Sequence, residues 1–324
     1  MQQNQIQNQT YPRNTAVDDE VDLREFFLAL WRGKWVIIIT ITCFAIGSVI
    51  FALSQPNLYK ADVLLAPADS SGSGGLSKMA GQLGGLAALA GVTIGGADSS
   101  QADLAVQVMK SRQFIDNFVR EHGLLVPLMA SKGWDLDSNI LITNSDLYDT
   151  EQKKWLRTPK GLRGAKPTSQ EAYEIFSKNV LSVNQDKESG LYKISVIHYS
   201  PYIAQQWVTW LVQDINKVMR ERSISETTQN LAYLNAQLQK TSVTDMRSMF
   251  YKLIEEQTKS LMLAEVQDEF VFKVVDPAVI PEVKDQPKRS LICMLGTLLG
   301  LIIGVAIVSV RFALKKQVND MDFD

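Results

Sequence analysis

The chain has 324 residues, of which 46% are hydrophobic and 21% charged, with a formal net charge of −2. That balance excludes a disordered polyelectrolyte and a basic nucleic-acid binder, so nucleic acid is not an expected partner. The two cysteines, Cys43 and Cys293, both fall inside long apolar runs, which leaves the region between them without a thiol for a disulfide, a zinc site or a nucleophile.

Residues 1–18, rich in Gln and Asn, read as a disordered tail. After Val21, Leu23, Phe26, Phe27, Leu30 and Trp31 share one helical face, and Trp31 and Trp35 suit interfacial depth, so residues 1–34 read as a cytoplasmic tail and interfacial helix. Apolar runs from Trp35 to Leu53 and from Leu291 to Leu314 each meet the roughly 20-residue requirement for crossing ~30 Å of hydrocarbon. Transmembrane helices are therefore expected over 35–54 and 291–314. Arg13, Arg24, Arg32 and Lys34 precede the first span and only Lys60 follows within reach, which places the N-terminus in the cytoplasm. With two spans, residues 315–324 return there and the central region lies outside. The length of the first run and of the region before it favours an uncleaved anchor over a signal peptide.

Tyr59 to Ala66 reads as a strand, and Ser70 to Gly96 as a Gly/Ser-rich loop that contains Gly-Gly-Leu-Ala-Ala-Leu-Ala-Gly but neither phosphate-loop pattern. Helical spacing runs from Gln101 to Arg120 and again from Glu171 to Lys178, whereas Lys132 to Pro167 reads as irregular surface. Val180–Val183 and Tyr192–Ile197 flank a Lys-Glu-Ser-Gly turn as a hairpin, so 55–200 is expected to form one α/β base domain. Pro201 opens the longest pattern, with Ala204, Val208, Leu211, Ile215, Val218, Leu231, Leu234 and Leu238 on one side. Ser242-Val-Thr-Asp245 resembles a capping box that restarts a second helix, carrying Met249, Leu253, Leu261 and Leu263, within 201–268. A helix from Pro201 to Lys240 would reach roughly 60 Å, more than a compact domain supports, which points to packing between subunits. Phe270 to Val275 reads as a strand leading into an arm, together 269–290.

His122 and His198 have no companions at metal-ligand or triad spacing, and no nucleophile elbow or His-Glu-x-x-His motif occurs, so no catalytic residue, metal or cofactor is expected. The informative positions are structural. Pro277, Pro281 and Pro287 make a stiff arm before the second span. Gly296, Gly300 and Gly304 repeat every four residues within it, a ridge for close helix approach to Ala45, Ser48 and Ala52 or to the same ridge on another subunit.

On these residues the chain resembles the Wzz-type polysaccharide co-polymerases, the chain-length determinants of bacterial surface polysaccharides. Pro281, four residues, Gln286-Pro287-Lys288, eleven residues and Gly300-x-x-x-Gly304 fit the family frame, although Pro277 stands four rather than three positions before Pro281 and Gln286 replaces a serine. The resemblance implies an inner-membrane α+β protein, in which two transmembrane helices flank a periplasmic α/β base with a long projecting helix, assembling into a bell-like homo-oligomeric ring. It also implies a membrane polymerase and its lipid-linked glycan as partners, no catalysis by this chain, and functional positions at Pro277, Pro281, Pro287, Lys288, Gly296, Gly300 and Gly304. Two other classes compete: a membrane subunit of an exopolysaccharide or capsule export system with a separate tyrosine autokinase, and a two-span sensor, which the short cytoplasmic tail disfavours.

Overall fold

A computed structural model describes residues 30–68 and 97–321 and divides the chain into two units, one with the apolar helices and one from Pro56 to Pro287. The tail of residues 1–18, the helical face of Leu23, Phe26 and Phe27, and the Gly/Ser-rich segment 70–96 lie outside the described residues. Helix α1 (Lys34–Ser54) has 21 residues, about 32 Å at 1.5 Å per residue. Ile38, Ile39, Ile46, Ile50 and Leu53 are exposed on it, a surface suited to lipid. The hydroxyls of Thr40, Thr42, Ser48 and Ser54 donate to carbonyls three or four residues back at 2.8–2.9 Å, so none is left unpaired in hydrocarbon.

The central unit starts with β1 (Tyr59–Pro67), followed by α2 (Ala97–Met109), α3 (Arg112–Glu121) and α4 (Leu125–Met129). Two small hairpins come next, β2 (Ser131–Asp135) with β3 (Ile140–Thr143) and β4 (Tyr148–Asp149) with β5 (Lys154–Trp155). They correct the expectation of an irregular surface over 132–167: strands of two to five residues are too short to declare a period. Then follow α5 (Ser169–Ile175), a π-helical turn (Phe176–Val180), β6 (Leu181–Gln185), β7 (Tyr192–His198), α6 (Pro201–Lys240), α7 (Thr244–Val266) and β8 (Phe272–Asp276).

Four of the strands form one antiparallel sheet in the order β6-β7-β1-β8. Alternation decides its faces. Ala61, Val63 and Leu65 lie opposite Val196, Ile194 and Tyr192, all buried, while Asp62 on the other face takes the Lys193 ammonium at 2.7 Å. Residues of α2 and α3 and the first half of α6 cover the apolar face in one core cluster.

Helix α6 begins where Ser200 Oγ accepts the Ile203 N–H and Pro201 supplies a preset φ. Its 40 residues reach about 60 Å, and beyond Met219 only Thr227 is buried. Ala204, Val208, Leu211 and Ile215 enter the core, joined by Trp207, Val212 and Met219, whereas Val218, on the same helical face but near the distal end of the covered stretch, is exposed. Leu231, Leu234 and Leu238 are half-buried in the distal hairpin that α6 forms with α7. The chain does break at 241–243, but Ser242 does not cap α7: Val243 occupies that position without a side-chain bond. A complete capping box occurs instead at Thr168 and Glu171, opening α5.

The last helix, α8 (Arg289–Met321), carries a 24-residue apolar stretch to Phe312 and packs along α1.

Candidate functional site

Both chain passages out of the central unit meet at one backbone junction. The Leu58 N–H donates to Gln286 O at 2.9 Å, and Leu58 O accepts from Asp285 at 2.8 Å and Gln286 at 3.2 Å. The arm after β8 thus ends pinned to the residue preceding β1. Along it, Ala278 O accepts from Gln205 Nε2 of α6 at 3.2 Å; Pro281 and Pro287 are half-buried, Pro277 and Lys288 exposed, and the Gln286–Pro287 bond is cis. Three prolines within eleven residues withhold three backbone donors, so the arm reaches the junction without regular secondary structure. Lys288 O accepts from Leu291 and Ile292 and opens the second apolar helix.

A second fastening holds the return from α7. Asn216, buried on α6, accepts the N–H groups of Val271 and Phe272 at 2.8 and 2.9 Å through Oδ1 and donates Nδ2 to Phe272 O at 3.0 Å. Arg220, one turn on, binds Asp268 at 2.9 Å and Gln267 O at 3.3 Å. The amide supplies the hydrogen bonds a neighbouring strand would, fixing where the long hairpin rejoins the sheet. A lone Asn between Ile215 and Met219 on an otherwise buried helical face is the sequence signal for it.

In the membrane unit the glycine ridge faces α1. A Cβ on Gly300 would lie 2.9 Å from Phe44 Cβ, 3.1 Å from Ile41 Cα and 3.3 Å from Thr40 O; on Gly304 it would lie 3.1 Å from Ile37 Cα and collide with Thr40 Oγ1. On Gly296 it would collide with Ser48. Only hydrogen at these three positions permits such an approach. Of the expected small partners, Ser48 meets the ridge directly; Ala52 is buried and its carbonyl accepts from Arg289 Nε at 3.2 Å, and Ala45 is not among the nearest neighbours of the three glycines.

The two histidines and Glu171 serve structure. His198 is buried under Trp207, donating Nε2–H to Pro127 O at 3.1 Å and accepting the Ser200 N–H at Nδ1, and burial holds its pKa down at about 4. His122 stacks on Trp210 and pairs with Asp214 at 2.8 Å. The Arg157 guanidinium, forked onto Glu171 at 2.6 and 2.9 Å, draws that carboxyl down to about 2. Among the described residues no group of three or more His, Cys, Asp or Glu converges as a metal site would.

A packed pair of apolar helices flanking an antiparallel-sheet domain with one long helical hairpin defines a two-span, membrane-anchored α+β protein. Residues 19–122 match the family of Wzz chain length determinant proteins, and residues 235–313, which include the arm and the ridge, match the GNVR family, described as a G-rich domain on tyrosine kinases. Over residues 19–122 the chain is thus similar to the Wzz chain length determinant proteins. Similar solved structures include a full-length bacterial polysaccharide co-polymerase, 14% identical with a TM-score of 0.36, covering 92% of this chain and 99% of that one. A fragment of WzzB, a polysaccharide co-polymerase from Salmonella Typhimurium, is 13% identical with a TM-score of 0.29, covering 71% and 100%. Comparison with curated protein sequences finds no match.

Proposed function

We propose that this chain sets the length of a surface polysaccharide, as a non-catalytic, homo-oligomeric co-polymerase working beside a membrane polymerase on a lipid-linked glycan. The observation that carries the reading is the Wzz chain-length-determinant match over residues 19–122. On this reading the chain sits in the bacterial inner membrane with both termini cytoplasmic and the central domain periplasmic. Identical subunits form a bell-like ring, supported laterally where the distal half of α6 leaves its own core.

The proposed functional positions act by coupling parts. Pro277 and Pro281 carry the chain from β8 to the junction at Leu58 and Gln286, and Pro287 and Lys288 carry it on into the second span. Gly296, Gly300 and Gly304 hold that span against the first. The ring then determines how long the growing glycan stays with the polymerase, and hence a preferred length. The test is a strain in which this chain carries Gly300→Leu and Gly304→Leu together. Normal protein levels with a broadened length distribution support the coupling; an unchanged distribution refutes it.

The GNVR match favours one second reading, a membrane subunit of an exopolysaccharide or capsule system that works with a separate tyrosine autokinase. A kinase co-purifying with this chain, and loss of polymer when the chain is deleted, would select it.

A further inference from the structure

In a chain of net charge −2, residues 153–166 carry six cations and no carboxylate. Two of them hold the segment in shape: Arg157 is forked onto Glu171, and Arg163 leans on Glu171 at 3.6 Å and Glu174 at 3.7 Å. The other four, Lys153, Lys154, Lys160 and Lys166, are exposed, and none makes an ion pair among the described residues. At the tip, Lys160 and Arg163 exchange backbone hydrogen bonds of 2.8 and 3.1 Å across a turn in which Gly161 has φ +61° and Leu162 is fully exposed. Leu156, beside Arg157, is 49% exposed.

The place of this segment in the fold gives it a partner. It belongs to the insert between α4 and α5, and that insert springs from the sheet end where both chain passages leave. Pro127 of α4 accepts from His198, which is paired with Tyr59, and Trp134 of β2 packs edge-on against Tyr59 at 5.6 Å and beside Tyr202 at 6.1 Å. Tyr59 adjoins Leu58, the junction residue. Leu58 follows the last residue of α1 by four positions, a reach of at most about 14 Å. Tyr and Trp are the side chains that favour the wet edge of a bilayer.

We propose that the Lys153–Lys166 segment docks on the anionic surface of the bilayer that the chain itself spans, its lysines meeting lipid phosphates and Leu162 entering the headgroup layer. The proposal rests on α1 and α8 being membrane spans. A soluble polyanion would match the lysines but offers nothing to Leu162 and Leu156, whereas a lipid surface accommodates both kinds of side chain.

The test uses the full chain with Cys43→Ala and Cys293→Ala, labelled at Leu162→Cys with an environment-sensitive dye, in nanodiscs. In discs of equimolar phosphatidylcholine and phosphatidylglycerol the emission moves to shorter wavelength and the dye is shielded from aqueous iodide. The shift is lost in phosphatidylcholine alone, in high salt, and with Lys153, Lys154, Lys160 and Lys166 all changed to Gln. A dye at Glu188→Cys, on the β6–β7 turn, stays in water throughout. A dye at residue 162 that remains water-exposed in the anionic discs, or shifts equally in neutral ones, overturns the proposal. So does a shift in neutral discs that appears only on adding polyphosphate, which would assign the segment to a soluble polyanion. Failure of the chain to enter discs at all would instead strike at the two spans.

Discussion

Gly300→Ala is the sharpest perturbation of the helix pair, because all three nearest neighbours of the added methyl are backbone or Cβ atoms: Phe44 Cβ at 2.9 Å, Ile41 Cα at 3.1 Å and Thr40 O at 3.3 Å. No rotamer change relieves them. Carbon atoms in contact normally stand about 3.5–4.0 Å apart, so the helices must part by roughly 0.5–1 Å, and overpacking of this kind costs about 1–3 kcal/mol. Gly47→Ala on α1 is the matched control, since nothing lies within 4 Å of its added Cβ. Both substitutions gain the same helix propensity, about 1 kcal/mol, and the difference between them isolates the packing cost. The assay is an SDS titration of the full chain in mixed micelles, with Cys43 and Cys293 replaced by Ala and a fluorophore pair at Leu53→Cys and Leu291→Cys. Gly300→Ala should separate at lower SDS than Gly47→Ala; equal midpoints would refute the ridge packing.

Ser48→Cys with Gly296→Cys, in a chain otherwise free of cysteine, should form a disulfide within one chain, because the two positions face each other across the helix pair and the helices need only part by an ångström or two, on the order of the shortfall from the ~3.8 Å Cβ separation of a disulfide; a covalent dimer on a non-reducing gel would place the ridge against another subunit. Asn216→Ala should destabilise the central domain by about 2–4 kcal/mol, since two buried N–H groups and a carbonyl lose their partner. Faster hydrogen exchange at Val271 and Phe272 would localise the effect, and unchanged exchange there would contradict the clamp. For His198 the folded pKa lies below the unfolded one, so its contribution is complete above pH 6.5 and is lost as pH falls toward about 4. The loss amounts to about 3 kcal/mol, and His198→Gln should flatten urea stability across that window. Glu171 has the same sign at lower pH: its ion pair with Arg157 contributes above pH 4.5 and fades toward pH 2. Protease sensitivity of the Lys153–Lys166 loop should therefore rise in that range and, with Glu171→Gln, be raised already at neutral pH.

The parts of this protein legible in its sequence are those that a single segment determines. Apolar run length gives α1 and α8, and Pro201 and the uninterrupted period to Lys240 give α6. The four-residue spacing of Gly296, Gly300 and Gly304 announces a helix contact, but which residues of α1 receive it depends on the rotation of both helices, and the receivers include Phe44, Ile41 and Ile37 alongside Ser48. The Leu58–Gln286 junction joins residues more than two hundred positions apart through backbone atoms, which no side-chain pattern encodes. Asn216 likewise acts on residues 55 and 56 positions away. Ser242 and Asp245 fit the spacing of a cap without forming one, while Thr168 and Glu171 form one, because geometry at the chain break decides whether the side chain can turn back onto its own helix.

The most direct test of length control is a gel of surface polysaccharide from cells with and without this chain. Without the chain, a clustered band at a preferred length should give way to a broad, short-weighted ladder while polymerisation continues. Complete loss of polymer would contradict a length regulator and indicate an essential assembly or export component, and an unchanged pattern would contradict any role in polysaccharide length.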